Sequence, residues 1–89
     1  MKAVVTVVGK DRTGIIARVS MALYEANANI LDISQTTMQD LFTMIMLVDF
    51  EASKDHISAI DEKLQKIAAE MGLSIKVQRE EIFSSMHKI

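Results

Sequence analysis

At 89 residues the chain is sized for one domain, large enough to bury a core and small enough to gain from association. A formal net charge of −2 without a basic run disfavours sequence-independent nucleic-acid binding, and zero cysteines exclude disulfides, thiol catalysis and cysteine-ligated metals. Apolar residues make up 49% of the chain, yet no apolar run approaches the ~20 residues that cross a bilayer. Met1-Lys2-Ala3 leads too quickly into a strand to be a signal peptide, so a cytoplasmic protein with no membrane partner is expected.

The first strand spans about residues 2 to 9, a Val-rich run with no charge after Lys2. Gly9-Lys10-Asp11-Arg12-Thr13-Gly14 follows as a glycine-bracketed polar loop. Ile15, Val19, Ala22, Leu23 and Ala26 then recur on one face of a helix over about 14 to 27. Asp11 or Thr13 is expected to cap that helix, and Asn27 and Asn29 to turn the chain beyond it. A second strand runs from about Asn29 to Met38, turns at Gln39-Asp40 and returns as a third strand, Leu41 to Phe50. A second helix is expected over about Asp55 to Met71, burying Ile57, Ile60, Leu64, Ile67, Ala68 and Met71, with Glu62 and Lys66 one turn apart on its wet face. Gly72 ends it, and Leu73 to about Arg79 alternates as a half-exposed fourth strand.

The order βαββαβ implies an α+β, ferredoxin-like sandwich, a four-stranded antiparallel sheet with both helices on one face. Right-handed crossovers put strands one and three in the centre and strands two and four at the edges. Those central strands are apolar on both faces although helices cover only one, so a second subunit is expected to cover the other. Beyond the domain, Ile82, Phe83, Met86 and Ile89 follow an i, i+1, i+4, i+7 spacing, a short amphipathic tail over residues 81–89. This tail can dock on its own domain or across a dimer.

The loop carries the clearest functional signal. A polar, glycine-bracketed turn at a helix start places backbone N–H groups beside charged side chains, an arrangement suited to a carboxylate, a phosphate or another small polar ligand. Asp11 can accept hydrogen bonds from a ligand ammonium while the helix N–H groups receive its carboxylate. Asn29 offers a donor and an acceptor, and Gly14 lets a ligand approach the main chain. The same residues serve equally as a cap, a left-handed turn residue and a turn glycine.

Gly9-Lys10-Asp11-Arg12-Thr13-Gly14-Ile15-Ile16, followed by Asn27-Ala28-Asn29-Ile30-Leu31-Asp32, resembles an ACT domain over residues 1–80. It is similar to the short stand-alone bacterial members of the family and to the ACT repeats of the glycine cleavage system transcriptional repressor. The resemblance implies a regulatory module that binds an amino acid or related metabolite where the loop meets a neighbouring ACT domain. Gly9, Asp11, Arg12, Thr13, Gly14 and Ile15 would form one side of that pocket, and Asn29 and Ile30 the other. Many members carry proline where this chain has Thr13, so ligand identity does not transfer.

Other chemistries on the same residues fail. Gly9 and Gly14 have the glycine spacing of a P-loop, but Ile15 stands in place of its lysine. His56 and His87 lack a metal-ligand spacing, so no metal and no cofactor are expected. No serine sits in a nucleophile elbow. RNA recognition on this fold needs aromatics on the central strands, and only Phe42 and Phe50, at the ends of strand three, are present. Two function classes remain open. One is a non-enzymatic sensor, a homodimer or higher homo-oligomer that signals to a separate effector protein. The other is a ligand-free assembly module.

Overall fold

The computed structural model of the protein describes residues 1–81. The elements are β1 (Lys2–Lys10), α1 (Ile15–Glu25), β2 (Asn29–Met38), β3 (Leu41–Asp49), α2 (Ile57–Met71) and β4 (Leu73–Arg79). All neighbouring strands run antiparallel in the order β2-β3-β1-β4, so β1 and β3 are central, as the crossover rule requires. The expected tail residues Ile82, Phe83, Met86 and Ile89 lie outside the described residues.

Strand alternation sorts the side chains onto two faces. Val5 pairs with Met46 and Val77, and Val7 pairs with Met44 and Ile75. Cross-strand partners share a face, so these residues form one apolar layer beneath the helices. Onto it α1 brings Ile15, Val19, Ala22 and Leu23, and α2 brings Ile60, Leu64, Ile67, Ala68 and Met71. Ile57, expected in the buried row of α2, is half-buried against the edge of this core.

The helices are shorter than the periodicity suggests, for local reasons. Helix α1 stops at Glu25 because Asn27 adopts a left-handed conformation, φ 58°. The Asn27 N–H donates to the Tyr24 carbonyl at 2.9 Å and the Ala28 N–H to the Leu23 carbonyl at 2.9 Å, the paired bonds of a Schellman termination. The Asn27 side-chain amide donates to the Ala52 carbonyl at 3.0 Å, tying this turn to the segment that leads into α2. Helix α2 begins two residues later than expected because His56 is its N-cap, with Nδ1 accepting from the Ser58 N–H at 3.2 Å. Gly72 closes it in the left-handed conformation, φ 68°. Along the wet face Gln65, rather than Lys66, finds a partner one turn back, its amide donating to Asp61 at 3.1 Å and to the Ile75 carbonyl at 2.7 Å.

Strand β2 is the least covered element. Its ten residues pair with β3 alone, a bulge at Leu31 interrupts the register, and only Ile30 is even half-buried. Ile33, Gln35 and Thr37 pair with Met46, Met44 and Phe42 and therefore share the helix-side face, yet all three are exposed. The helical layer ends before it reaches this edge.

Candidate functional site

The loop after β1 reaches the free end of β2. Its anchor is the Asp11 N–H, which donates at 2.7 Å to the carbonyl of Asp40 in the β2–β3 turn. Gly14 then takes φ 95°, a left-handed conformation that side-chain-bearing residues rarely adopt, and α1 starts with the Arg18 N–H bonded to the Gly14 carbonyl at 2.9 Å. Neither Asp11 nor Thr13 caps the helix, contrary to expectation. The N-cap is Gly14, with no side-chain hydrogen bond, because its left-handed turn replaces the extended geometry a capping side chain needs. The opening N–H groups of α1 thus have no side-chain acceptor.

Beside this helix start lies a cavity of about 220 Å³ lined by Asp11, Arg12, Gly14, Ile15, Ile16, Ala17, Gln35 and Phe42. Asp11 and Arg12 put opposite charges at its rim, Phe42 and Ile15 give it a buried apolar floor, and Gln35 adds an amide from β2. Charge of both signs, free N–H donors and an apolar floor suit a small zwitterion or carboxylate. Of the residues singled out in the sequence, Asp11, Arg12, Gly14 and Ile15 line this cavity. Gly9 and Thr13 do not. Gly9 sits within β1 where an added Cβ would lie 2.6 Å from Leu73 Cδ2 and 3.2 Å from the Gly72 carbonyl oxygen, so its place is set by packing against the turn between α2 and β4.

Asn29 and Ile30 lie elsewhere. They line a second cavity of about 380 Å³ with Ser20, Met21, Tyr24 and Ala28, at the other end of α1. Within one chain the two halves of the expected pocket lie at opposite ends of this 11-residue helix, about 16 Å apart. Between them runs the i, i+4, i+8 stripe Ile16, Ser20 and Tyr24 of α1, exposed at Ile16 and Tyr24 and half-buried at Ser20. Gln35 escaped sequence reading, although a signal exists: it is a polar residue at an inward-facing position in register with Met44, which breaks the alternation of β2.

Among the described residues no group of three His, Asp or Glu side chains is placed to hold a metal ion, and no helix is long and apolar enough to cross a membrane. One surface ion pair joins the helices: Arg18 Nη2 donates to Glu70 Oε1, each side chain about half exposed. This hydrogen bond, then the guanidinium charge, then Lys66, hold the Glu70 carboxyl below its ordinary value.

Residues 2–78 match the ACT domain family. The UPF0237 protein of Methanocaldococcus jannaschii is 51% identical over 88 residues, 99% of this chain and 98% of that protein. An ACT domain protein from Streptococcus pneumoniae superposes with a TM-score of 0.80 at 37% identity, covering 93% of both chains. A structure described as a glycine cleavage system transcriptional repressor aligns with a TM-score of 0.74 and 26% identity over 86% of this chain and 44% of its own. ACT domains are regulatory modules for small ligands, and the uncapped helix start beside a charged loop lies within the matched span. Fold order, strand order and a family match over nearly the whole chain agree: the protein belongs to the ACT domain family.

Proposed function

We propose that this chain is a non-enzymatic regulatory module that binds an amino acid or related small metabolite between two copies of itself. The observation that carries the reading is the uncapped start of α1, lying with Asp11, Arg12 and Gln35 around a cavity beside the free edge of β2. A ligand carboxylate placed on the first N–H groups of α1 gains from the helix dipole, and Asp11 accepts from its ammonium. Asn29 and Ile30 join the same site only across a two-fold axis. Antiparallel pairing of β2 with its symmetry mate, centred near Ile33 and Ser34, sets the Asn29 end of one strand against the Met38 end of the other. Asn29 of the partner subunit then meets the Asp11–Gly14 loop, and the Ile16, Ser20 and Tyr24 stripes of two α1 helices face each other across the seam. A ligand held by both copies stabilises that assembly by its differential affinity for the paired state, and a separate effector protein reads the change in a cytoplasmic setting.

Isothermal titration with pooled amino acids, run beside light scattering, tests this. The expected result is a saturable heat from one pool that Asp11→Ala removes while the folded protein and its mass are kept. Silence from every pool with an unchanged dimer favours the second reading, a ligand-free assembly module. The exposed apolar residues Ile16, Met21, Tyr24, Leu31 and Ile33 along α1 and β2 support that alternative, since they suit an interface with or without a ligand.

A further inference from the structure

The two cavities beside α1 differ in chemistry as well as in place. The first, at the helix start, has Asp11, Arg12 and the opening N–H groups of α1, which no side chain caps. The second, about 380 Å³ at the helix end, has no charged side chain in its wall. Its largest side chains are Met21, 53% exposed, and Tyr24, 75% exposed, joined by Ala28 and Ile30, both half-buried. Large side chains so open to water gain from an apolar occupant.

The backbone at this end offers an ion little. The carbonyls of Ala22, Leu23 and Tyr24, which would otherwise attract a cation, accept from the N–H groups of Ala26, Ala28 and Asn27 at 3.2, 2.9 and 2.9 Å. The negative end of the helix dipole disfavours a carboxylate. Ser20 Oγ donates to the Ala17 carbonyl at 3.3 Å, so its hydroxyl proton is used within the helix. A charged ligand side chain placed here would lose water and find no counter-charge.

We propose that the second cavity of one copy receives the side chain of a ligand whose charged head sits in the first cavity of the other copy. The ligand is therefore an amino acid with a bulky apolar side chain, of the leucine, methionine or phenylalanine kind. This rests on the shared site proposed above, in which Asn29 of the partner subunit meets the Asp11–Gly14 loop and brings its cavity with it. Ligand pockets commonly run from about 300 Å³ upward. The first cavity falls short of that alone, so a ligand the size of glycine or serine leaves the larger cavity unfilled. Met21 supplies an adaptable thioether to this pocket and Tyr24 a flat ring.

Isothermal titration of the native chain with each common amino acid alone tests this, with light scattering to follow its mass. A bulky apolar amino acid is expected to bind about ten- to a hundredfold more tightly than alanine, the gain from burying such a side chain. Tyr24→Ala and Met21→Ser should each remove most of that advantage, and Tyr24→Phe should keep it. Met21 lies off the facing stripe of Ile16, Ser20 and Tyr24, so Met21→Ser reads the pocket even where Tyr24→Ala disturbs the dimer. Serine, aspartate or lysine as the tightest ligand, with binding lost in Asp11→Ala, overturns the side-chain assignment and leaves the shared sensor standing. An apolar preference that survives both Tyr24→Ala and Met21→Ser in folded protein also overturns it. Heat from no amino acid overturns the sensor reading and this inference together.

Discussion

Gly9, within β1, and Gly14, at the start of α1, bracket one six-residue stretch of sequence but answer to different forces, and substitution separates them. At Gly14 there is open space, the nearest atom being Met71 Cε at 4.0 Å, so Gly14→Ala meets backbone strain alone, from φ 95°. A loss of about 1–2 kcal/mol is expected by chemical denaturation, with little change in the denaturant slope. At Gly9 the conformation is an ordinary strand, and the obstacle is Leu73 Cδ2 at 2.6 Å backed by the Gly72 carbonyl. Gly9→Ala should cost about 1–3 kcal/mol as an overpacked contact, and a Gly9→Ala, Leu73→Ala pair should recover part of it. His56 gives a third residue-level expectation. Its ring nitrogen caps α2 where Ser, Asp or Asn more commonly serves, so His56→Ala should lower the melting temperature and His56→Asp should raise it. Such details are illegible in sequence because a glycine has the same letter whether it answers to φ or to a neighbour.

Between elements, the Arg18–Glu70 pair is the one ion pair among the described residues that joins α1 to α2, and it is exposed to solvent on both sides. The folded state holds the Glu70 carboxyl below its unfolded value, through the Arg18 hydrogen bond first. The pair therefore contributes fully above the unfolded carboxylate range, and the contribution fades as pH falls through the lowered folded value. Melting curves of the native chain and Glu70→Gln should differ slightly at neutral pH and converge in acid or in high salt. At the sheet edge, β2 offers ten residues without proline or lysine, protected near its start by the Leu31 bulge and by Asp32, whose carboxylate accepts the Ile33 N–H at 2.9 Å. A lysine at the middle of this edge opposes self-pairing. Ile33→Lys is expected to shift the scattering mass toward the monomer with the fold intact, whereas Lys76→Glu on the far edge should leave it unchanged. The contrast between the edges was visible in part: the clean alternation of β4 announces one wet face, but the same periodicity in β2 does not reveal that the helical layer stops short of it.

For the molecule as a whole, the proposed site is shared between two copies, because one chain holds its expected residues apart. Asp11, Arg12 and Gln35 gather at one end of α1 while Asn29 and Ile30 lie at the other. Ligand affinity and assembly should therefore be linked: diluting the protein below its dimer dissociation range should weaken ligand binding, and saturating ligand should raise the scattering mass at the same protein concentration. Ile33→Lys, at a position that does not line the first cavity, should reduce ligand affinity. Independent behaviour of the two quantities would place the whole site within one chain.

Element order, strand identities and the buried rows of both helices were legible because they follow from periodicities of 2 and 3.6, which each residue expresses locally. Asn27, Gly72 and the Gln39-Asp40 turn were legible for the same reason, since left-handed backbone selects its residues wherever it occurs. The composition of the site was not. Gln35 joins Asp11 only because β3 carries the chain back to the loop, and Asn29 parts from it only because α1 has length; both depend on where distant segments meet. The role of Gly9 likewise waits on Leu73, sixty-four residues away along the chain and in contact only through the β1–β4 pairing. Local backbone preference is written residue by residue, whereas proximity is decided by the packed sheet.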